Sequence, residues 1–430
     1  MHEHSAAYDV VILGAGYAGL MAGLRLSGWT CPLKALLVSE GAIFTERVRL
    51  QESLIKPVAP RLPPLGQWLS ETKVEFLQGR VEELHALSGT VTVAAPQGLT
   101  SVRFRRCIYA LGSATDTGQA EGASRHAFRL DPGDGTHAAD ALRRRLLEAP
   151  PGTRIVVVGG GNTGVEAAAE IRAARPDLSV TIVAAGSAGD FGKGARVEAA
   201  VRGQLGRLGV LLIDDDPVEQ VRPDHVLTQK GHKIAADICI WATGLRSPSV
   251  AAAAGLAVDS SNRIWVDGGL RSISHPRILA VGDAARPIAP TGAVYRQSAL
   301  AALTTGTYAA ASLLKEARGK RTRPFSFSAY GQGVAIGTAG VGFLTYPDDG
   351  DGYLVVTGRF ALHLRNLFVR VLVWCLRIER LWPGLGTFWI GRKRVAWSDA
   401  DAVVRELPSL GLPEFPSSEP HERGWPARPG

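Results

Sequence analysis

Tyr8-Asp9-Val10-Val11-Ile12-Leu13-Gly14-Ala15-Gly16-Tyr17-Ala18-Gly19-Leu20-Met21-Ala22 decides how this chain is read. An apolar run suited to a buried parallel strand meets a GxGxxG turn, and a helical pattern continues to Leu26. Each glycine has its own task in such a turn. Gly14 permits the sharp bend, Gly16 lets the backbone approach a pyrophosphate, and Gly19 lets helix and strand pack closely. Ala15, Tyr17 and Ala18 fill the remaining fingerprint positions, and the free amides of the helix N-terminus attract the phosphates. A single such pattern arises easily by chance among 50 glycines, so its context matters. The next strand, Lys34 to Glu40, ends in an acid about 20 residues on, where a carboxylate can take the adenosine ribose hydroxyls. Glu40 is the candidate; Ser39 stands at the usual position of the acid, and a surface glutamate is the alternative reading.

The same logic returns in mid-chain. Arg154-Ile155-Val156-Val157-Val158 is a strand, Gly159-Gly160-Gly161-Asn162-Thr163-Gly164 a second fingerprint, and Asn162 to Arg172 an alanine-rich helix carrying Glu166 and Glu170. Gly159, Gly161, Asn162, Thr163 and Gly164 are candidate contacts to a second dinucleotide. The following strand, Ser179 to Val183, runs into Ala184-Ala185-Gly186 with no acid. Lys193 and Arg196 follow as candidates for a 2′-phosphate or as solvated charges, a slight lean towards tolerance of NADPH.

Composition bounds the class. With 430 residues the chain can hold two to three domains, and 46% hydrophobic residues argue against extended disorder. The opening Met1-His2-Glu3-His4-Ser5 has no basic region followed by an apolar run, so no signal peptide is expected. A cytoplasmic location follows, with the inner face of the membrane as an alternative. A net charge of +8 favours anionic partners, dinucleotides or a membrane surface, and no nucleic-acid motif accompanies it.

Further signals sit in order along the chain: Tyr109-Ala110-Leu111-Gly112-Ser113, its counterpart Trp241-Ala242-Thr243-Gly244, and Arg277-Ile278-Leu279-Ala280-Val281-Gly282-Asp283-Ala284-Ala285. With the two fingerprints they give residues 8 to 325 a resemblance to the two-dinucleotide flavoproteins. That group includes pyridine nucleotide-disulfide reductases, ferredoxin reductases and type II NADH:quinone dehydrogenases. The resemblance implies an α/β fold with two Rossmann-like three-layer dinucleotide-binding domains, the second inserted in the first, plus a C-terminal α-containing region. The flavin domain would run over 1–116 and 256–325, the nicotinamide domain over 117–255, and the C-terminal region over 326–406, before a tail at 407–430 that is expected to be disordered. FAD and NAD(P)H would be the cofactors. Asp283 would bind the ribityl chain with Gly282 letting backbone come close, Gly112 and Gly244 would pass the cofactors, and the backbone of Val81 would meet the adenine. Arg47 would stand near the pyrophosphate or isoalloxazine, or form a structural salt bridge. Glu166 matches the glutamate that the family places near the two rings, in a positioning role, with an exposed helix carboxylate as the alternative.

Four separated cysteines, Cys31, Cys107, Cys239 and Cys375, form no close pair, which disfavours disulfide and sulfide chemistry. Electrons would leave for a quinone or similar small acceptor. Quinone-reducing relatives carry Ala-Gln-x-Ala-x-Gln after the second flavin motif; here Gln297 and Ala299 match, but Arg296 and Ala301 replace an alanine and a glutamine. Gln297 is the candidate contact to flavin or acceptor, with Tyr295 and Arg296 behind it. The leading reading is a type II-like NAD(P)H dehydrogenase. A ferredoxin- or rubredoxin-type reductase, a biosynthetic tailoring oxidoreductase and a flavin-bearing redox sensor are alternatives. Phe360 to Trp382 is strongly amphipathic, with His363, Asn366, Arg370, Arg377 and Arg380 at helical spacing beside an apolar face. It suits a helix lying in a membrane interface, docked on its own domain, or in a homodimer contact.

Overall fold

The computed structural model describes residues 7–55, 57–131, 138–288, 294–327, 331–345 and 351–387. The tail from 407, and the apolar groups Phe388-Trp389-Ile390 and Val395-Ala396-Trp397 that would extend the C-terminal surface, lie outside them.

The first sheet is built on β1 (Ala7–Leu13), with β2 (Ala35–Ser39) and β3 (Val74–Gln78) added on one side. The chain then forms β4 (Arg80–His85) and β5 (Thr90–Ala95) and returns along β6 (Gly98–Tyr109) on the other side of β1. A later strand, Ile278–Ala280, pairs parallel with β6, while β4, β5 and the first half of β6 form an antiparallel meander. Val10 to Leu13 are fully buried, as continuous apolar runs require when both faces of a parallel sheet are covered.

Strand order reverses at β1. The carboxyl ends of β1 and β6 therefore part around a crevice, and the first glycine turn sits in it. Gly14 has φ +100°, and a Cβ there would lie 2.3 Å from Ala110 O; one on Gly19 would lie 1.8 Å from Gly14 O. Helix α1 (Tyr17–Leu26) can start so close to its strand only because both positions lack a side chain.

The second sheet repeats this geometry. It comprises β7 (Ala127–Arg129), β8 (Arg154–Val158), β9 (Ser179–Val183), β10 (Leu211–Ile213) and β11 (Ile238–Trp241). The order is β10-β9-β8-β11-β7, all parallel. Strand β8 is the reversal point, and Gly159, φ +121°, lies against Ala242 as Gly14 lies against Ala110. Helix α2 (Asn162–Ala174) leaves from this turn.

Helix α3 (Ala299–Ala317) packs across α1, where Gly306 removes a Cβ that would sit 2.1 Å from Ala18 O. The C-terminal region adds what its glycine-rich sequence hid, a three-stranded antiparallel sheet of β12 (Gly331–Ile336), β13 (Ala339–Thr345) and β14 (Gly352–Thr357). Helix α4 (Gly358–Leu381) lies on it. Glycine weakens strand propensity, but here it admits the helix: a Cβ on Gly333 would meet Arg365 at 2.8 Å, and one on Gly340 would meet the Leu362 backbone at 2.9 Å. The C-terminal region thus contains the expected amphipathic helix, and beside it a sheet that the sequence did not announce.

Candidate functional site

Both glycine turns face one cavity of about 1170 Å³. Gly16, Tyr17 and Ala18 enter its wall from the first turn, and Gly161, Asn162 and Thr163 from the second. At Gly16 and Gly161 a Cβ would meet nothing within 4 Å. These two residues are the N-caps of α1 and α2, and neither helix has a side-chain cap. The first amides of each helix are thus turned towards open space that a phosphate fits, in both crevices.

Between the turns, Gly112 and Gly244 pass the cavity with φ of +70° each. Asp283 stands at the end of the Ile278–Ala280 strand, on a short turn where Gly282 takes φ +63°. Its Oδ2 accepts a hydrogen bond from Ser113 Oγ at 2.9 Å, and its backbone O accepts one from Gln297 Nε2 at 3.1 Å. The cavity thus holds Gly112, Gly244, Gly282, Asp283 and Gln297 together. Arg47 also lines it, donating to Ser113 O and pairing with Asp131 at 3.2 Å, so a salt bridge and a place in the wall coexist. Arg296 reaches across to Phe191 O in the loop after β9. The aromatic ring of Tyr295 packs edge-on against Phe325, 5.5 Å between centroids.

Several candidates stand apart from this wall. Gly14, Gly19, Gly159 and Gly164 are close-packing positions behind the turns, as their blocked Cβ directions require, and Ala15 is buried beside them. Glu40 is exposed just beyond β2, and Val81 is buried in β4 opposite Val93. Lys193 is 1% exposed and Arg196 lies on the outer surface of the next helix, so neither faces the cavity as a 2′-phosphate ligand would.

Glu166 lines the same cavity, and its carboxylate is engaged by protein groups. It is 8% exposed, which rules out a solvated helix carboxylate. Oε1 accepts from Ala335 N at 2.8 Å, Oε2 from Gln51 Nε2 at 2.6 Å, and Arg365 clasps both oxygens with Nε and Nη2 at 3.1 Å each. Arg365 also pairs with Glu52 at 2.9 Å and donates to Val48 O at 3.0 Å. Burial pushes the Glu166 carboxyl up from its ordinary value, and the Arg365 charge is the main influence pulling it back. Gln51 and Arg365 escaped the sequence reading. The usable signal was one charge on the apolar stripe Ala361, Arg365, Val369, Leu372.

The inner face of α4 contributes Phe368, Val369 and Leu372 to the cavity, beside Val48 and Tyr17. This gives an apolar arm next to the polar wall of Asp283 and Gln297. All four cysteines are buried and lie outside any disulfide. Burial raises the thiols of Cys31 and Cys107, and pushes Cys239 up to about 12, so they stay protonated and unreactive. Among the described residues no cluster could hold a metal ion.

The sequence pattern of the pyridine nucleotide-disulphide oxidoreductases matches residues 8–306, well over half the chain and both glycine turns. The chain belongs to that family. Three curated relatives are 28% identical. An NADH dehydrogenase-like protein of Mycobacterium tuberculosis aligns over 64% of this chain and 72% of its own length. A type II NADH:quinone oxidoreductase of Haemophilus influenzae aligns over 52% and 54%, and human ferroptosis suppressor protein 1 over 65% and 75%. In fold, the chain is similar to NDH2 of Plasmodium falciparum in complex with NADH, with TM-score 0.71 and 16% identity over 90% of this chain and 99% of that one. It is likewise similar to the sulfide:quinone oxidoreductase of Aquifex aeolicus, with TM-score 0.73 and 18% identity over 87% and 92%. The protein is an FAD-dependent NAD(P)H oxidoreductase. The two phosphate cradles and the carboxylate of Asp283 fit those two dinucleotides.

Proposed function

We propose that the protein passes electrons from NAD(P)H to a quinone-type acceptor, working at a membrane surface. The observation that carries this reading is the apolar arm of Tyr17, Val48, Phe368, Val369 and Leu372, which adjoins the flavin-side wall and is floored by an amphipathic helix. When bound, FAD supplies the hydride acceptor, N5, for the hydride leaving nicotinamide C4. The protein's own residues do the rest. The α1 and α2 N-termini would anchor the pyrophosphates, Asp283 would orient the ribityl hydroxyls, Gln297 would face the ring region with Glu166 holding Gln51 and Arg365 in the wall beside it, and the apolar arm would exclude water and accommodate a hydrophobic oxidant. Asp283→Ala removes a charged hydrogen-bond partner worth about 1.5–3 kcal/mol. FAD retention after gel filtration should fall about 10- to 100-fold; unchanged flavin content would remove Asp283 from the site.

The outer face of α4 supports the membrane reading. Phe360 is 65% exposed, Leu367 56%, Trp374 60% and Leu381 60%, at spacings that line one stripe. Arg359, Arg370 and Arg377 flank it, and this basic edge complements anionic lipid. Trp29, 85% exposed, joins the C-terminal end of the helix, where a Cβ on Gly28 would lie 3.5 Å from Pro383. Among the described residues no helix is long and apolar enough to cross a membrane. The double variant Leu367→Asp, Trp374→Asp should leave vesicles containing phosphatidylserine at least tenfold more readily in flotation, at unchanged flavin content. Equal flotation would favour a protein partner, such as a second copy of the chain, on this face.

Anaerobic stopped-flow tests the activity. Mixing with NADH and with NADPH should bleach the flavin, and a soluble quinone should restore its colour. Bleaching without reoxidation by quinone would move the acceptor to a ferredoxin, a rubredoxin or a biosynthetic substrate.

A further inference from the structure

Helix α4 is tied to both dinucleotide-binding helices by two buried ion pairs on one of its faces. Near its start Arg365, 4% exposed at the side chain, clasps Glu166 of α2. Fourteen residues later, four helical turns and about 21 Å along the axis, Glu379 is 0% exposed and pairs with Arg25 in the last turn of α1. The second pair is as fully engaged as the first. Arg25 Nη2 donates to Glu379 Oε2 at 3.1 Å, Arg25 Nε donates to Oε1, and the amides of Gly384 and Gly386 donate to the two carboxylate oxygens at 2.9 Å each.

Such pairs are a costly way to hold a helix in place, because apolar residues of similar volume pack there with no desolvation penalty. What ion pairs add is a single geometry, since each charge is held by a fixed set of donors or acceptors and any slip strands it. The elements they join are the two whose N-termini, at Gly16 and Gly161, form the phosphate cradles. We propose that α4 is a brace setting the distance between the two dinucleotides, with Arg365 and Glu379 as positioning residues for hydride transfer. The inference rests on the two-dinucleotide site and is independent of the acceptor.

Its test uses the full-length, FAD-loaded protein. If the brace couples to nicotinamide binding, then NAD⁺ must in turn tighten the brace. Amide hydrogen exchange across residues 358–381 should slow at least several-fold when NAD⁺ is bound, and exchange rates that NAD⁺ leaves unchanged would overturn the proposal. In parallel, Glu379→Gln should lower the limiting rate of flavin bleaching by saturating NADH about tenfold or more, as a misplacement of the rings by a fraction of an ångström does. The NADH dissociation constant should rise by a similar several-fold factor, as that reciprocity requires, and flavin content should stay within about twofold. Arg25→Lys, which keeps the charge but loses the fork, should retain an intermediate rate. A Glu379→Gln protein with lowered melting temperature but wild-type limiting rate would show a purely structural pair and overturn the inference. Should that variant fail to hold FAD, the exchange measurement on the unaltered protein decides.

Discussion

Arg365→Ala is expected to destabilise the protein by about 3–5 kcal/mol near neutral pH, because it leaves Glu166 buried with its main charge partner gone. The cost should depend on pH in a definite direction. Burial raises the Glu166 carboxyl above its unfolded value, and Arg365 is the strongest influence restraining it. Without Arg365 the folded-state value rises further. A carboxyl whose folded value exceeds its unfolded one makes its most favourable contribution below the unfolded value, where it is neutral in both states. That contribution is lost as pH rises towards the folded value. The deficit relative to wild type should therefore be smaller at pH 5 than at pH 8 in urea titrations. Adding Glu166→Gln should recover part of the loss at pH 8, a coupling that a double-mutant cycle measures. Equal deficits at both pH values, or full additivity, would mean that Glu166 is not the group left stranded.

A comparably large effect is expected at Gly19. Alanine there would place its Cβ 1.8 Å from Gly14 O, a backbone atom in the turn itself. Neither side can yield without separating α1 from β1, so a loss of about 3 kcal/mol or more is expected, at or beyond the upper end for overpacking. The purified protein should be colourless and melt early. Gly16→Ala is the informative contrast, since its Cβ meets no protein atom within 4 Å. It should keep the wild-type melting temperature of the flavin-free protein yet bind FAD poorly, because the methyl occupies space kept for the pyrophosphate. If both variants behaved alike, the separation of packing glycine from cradle glycine would be wrong.

These two sites also mark the limit of what could be read from the chain. The β1–α1 and β8–α2 units were legible to within a residue at most boundaries, because strand, turn and helix are encoded locally. Continuous apolar runs, left-handed glycines and the 3.6-residue period each act over fewer than ten positions. Asp283 and Gly282 were legible for the same reason, as a short strand ending in a Gly-Asp turn. The sheet at 331–357 was not, since glycine in a strand lowers the local signal and its justification lies in a helix that arrives later. Nor was the environment of Glu166. Nothing near it in sequence announces burial, and its partners lie 115 and 199 positions away.

The sequence by itself determined that two dinucleotide turns are present, which glycines build them, and that α4 is amphipathic. Only the tertiary structure decided that both turns open on one cavity, that Glu166 is clasped instead of solvated, and how the two faces of α4 are placed. One is pinned to α1 and α2 by Glu379 and Arg365, and the other is left apolar at the surface. The physical reason is range. Backbone conformation and amphipathic period are set by neighbours in the chain, whereas a charge acquires its meaning from whichever opposite charge the packing brings to it.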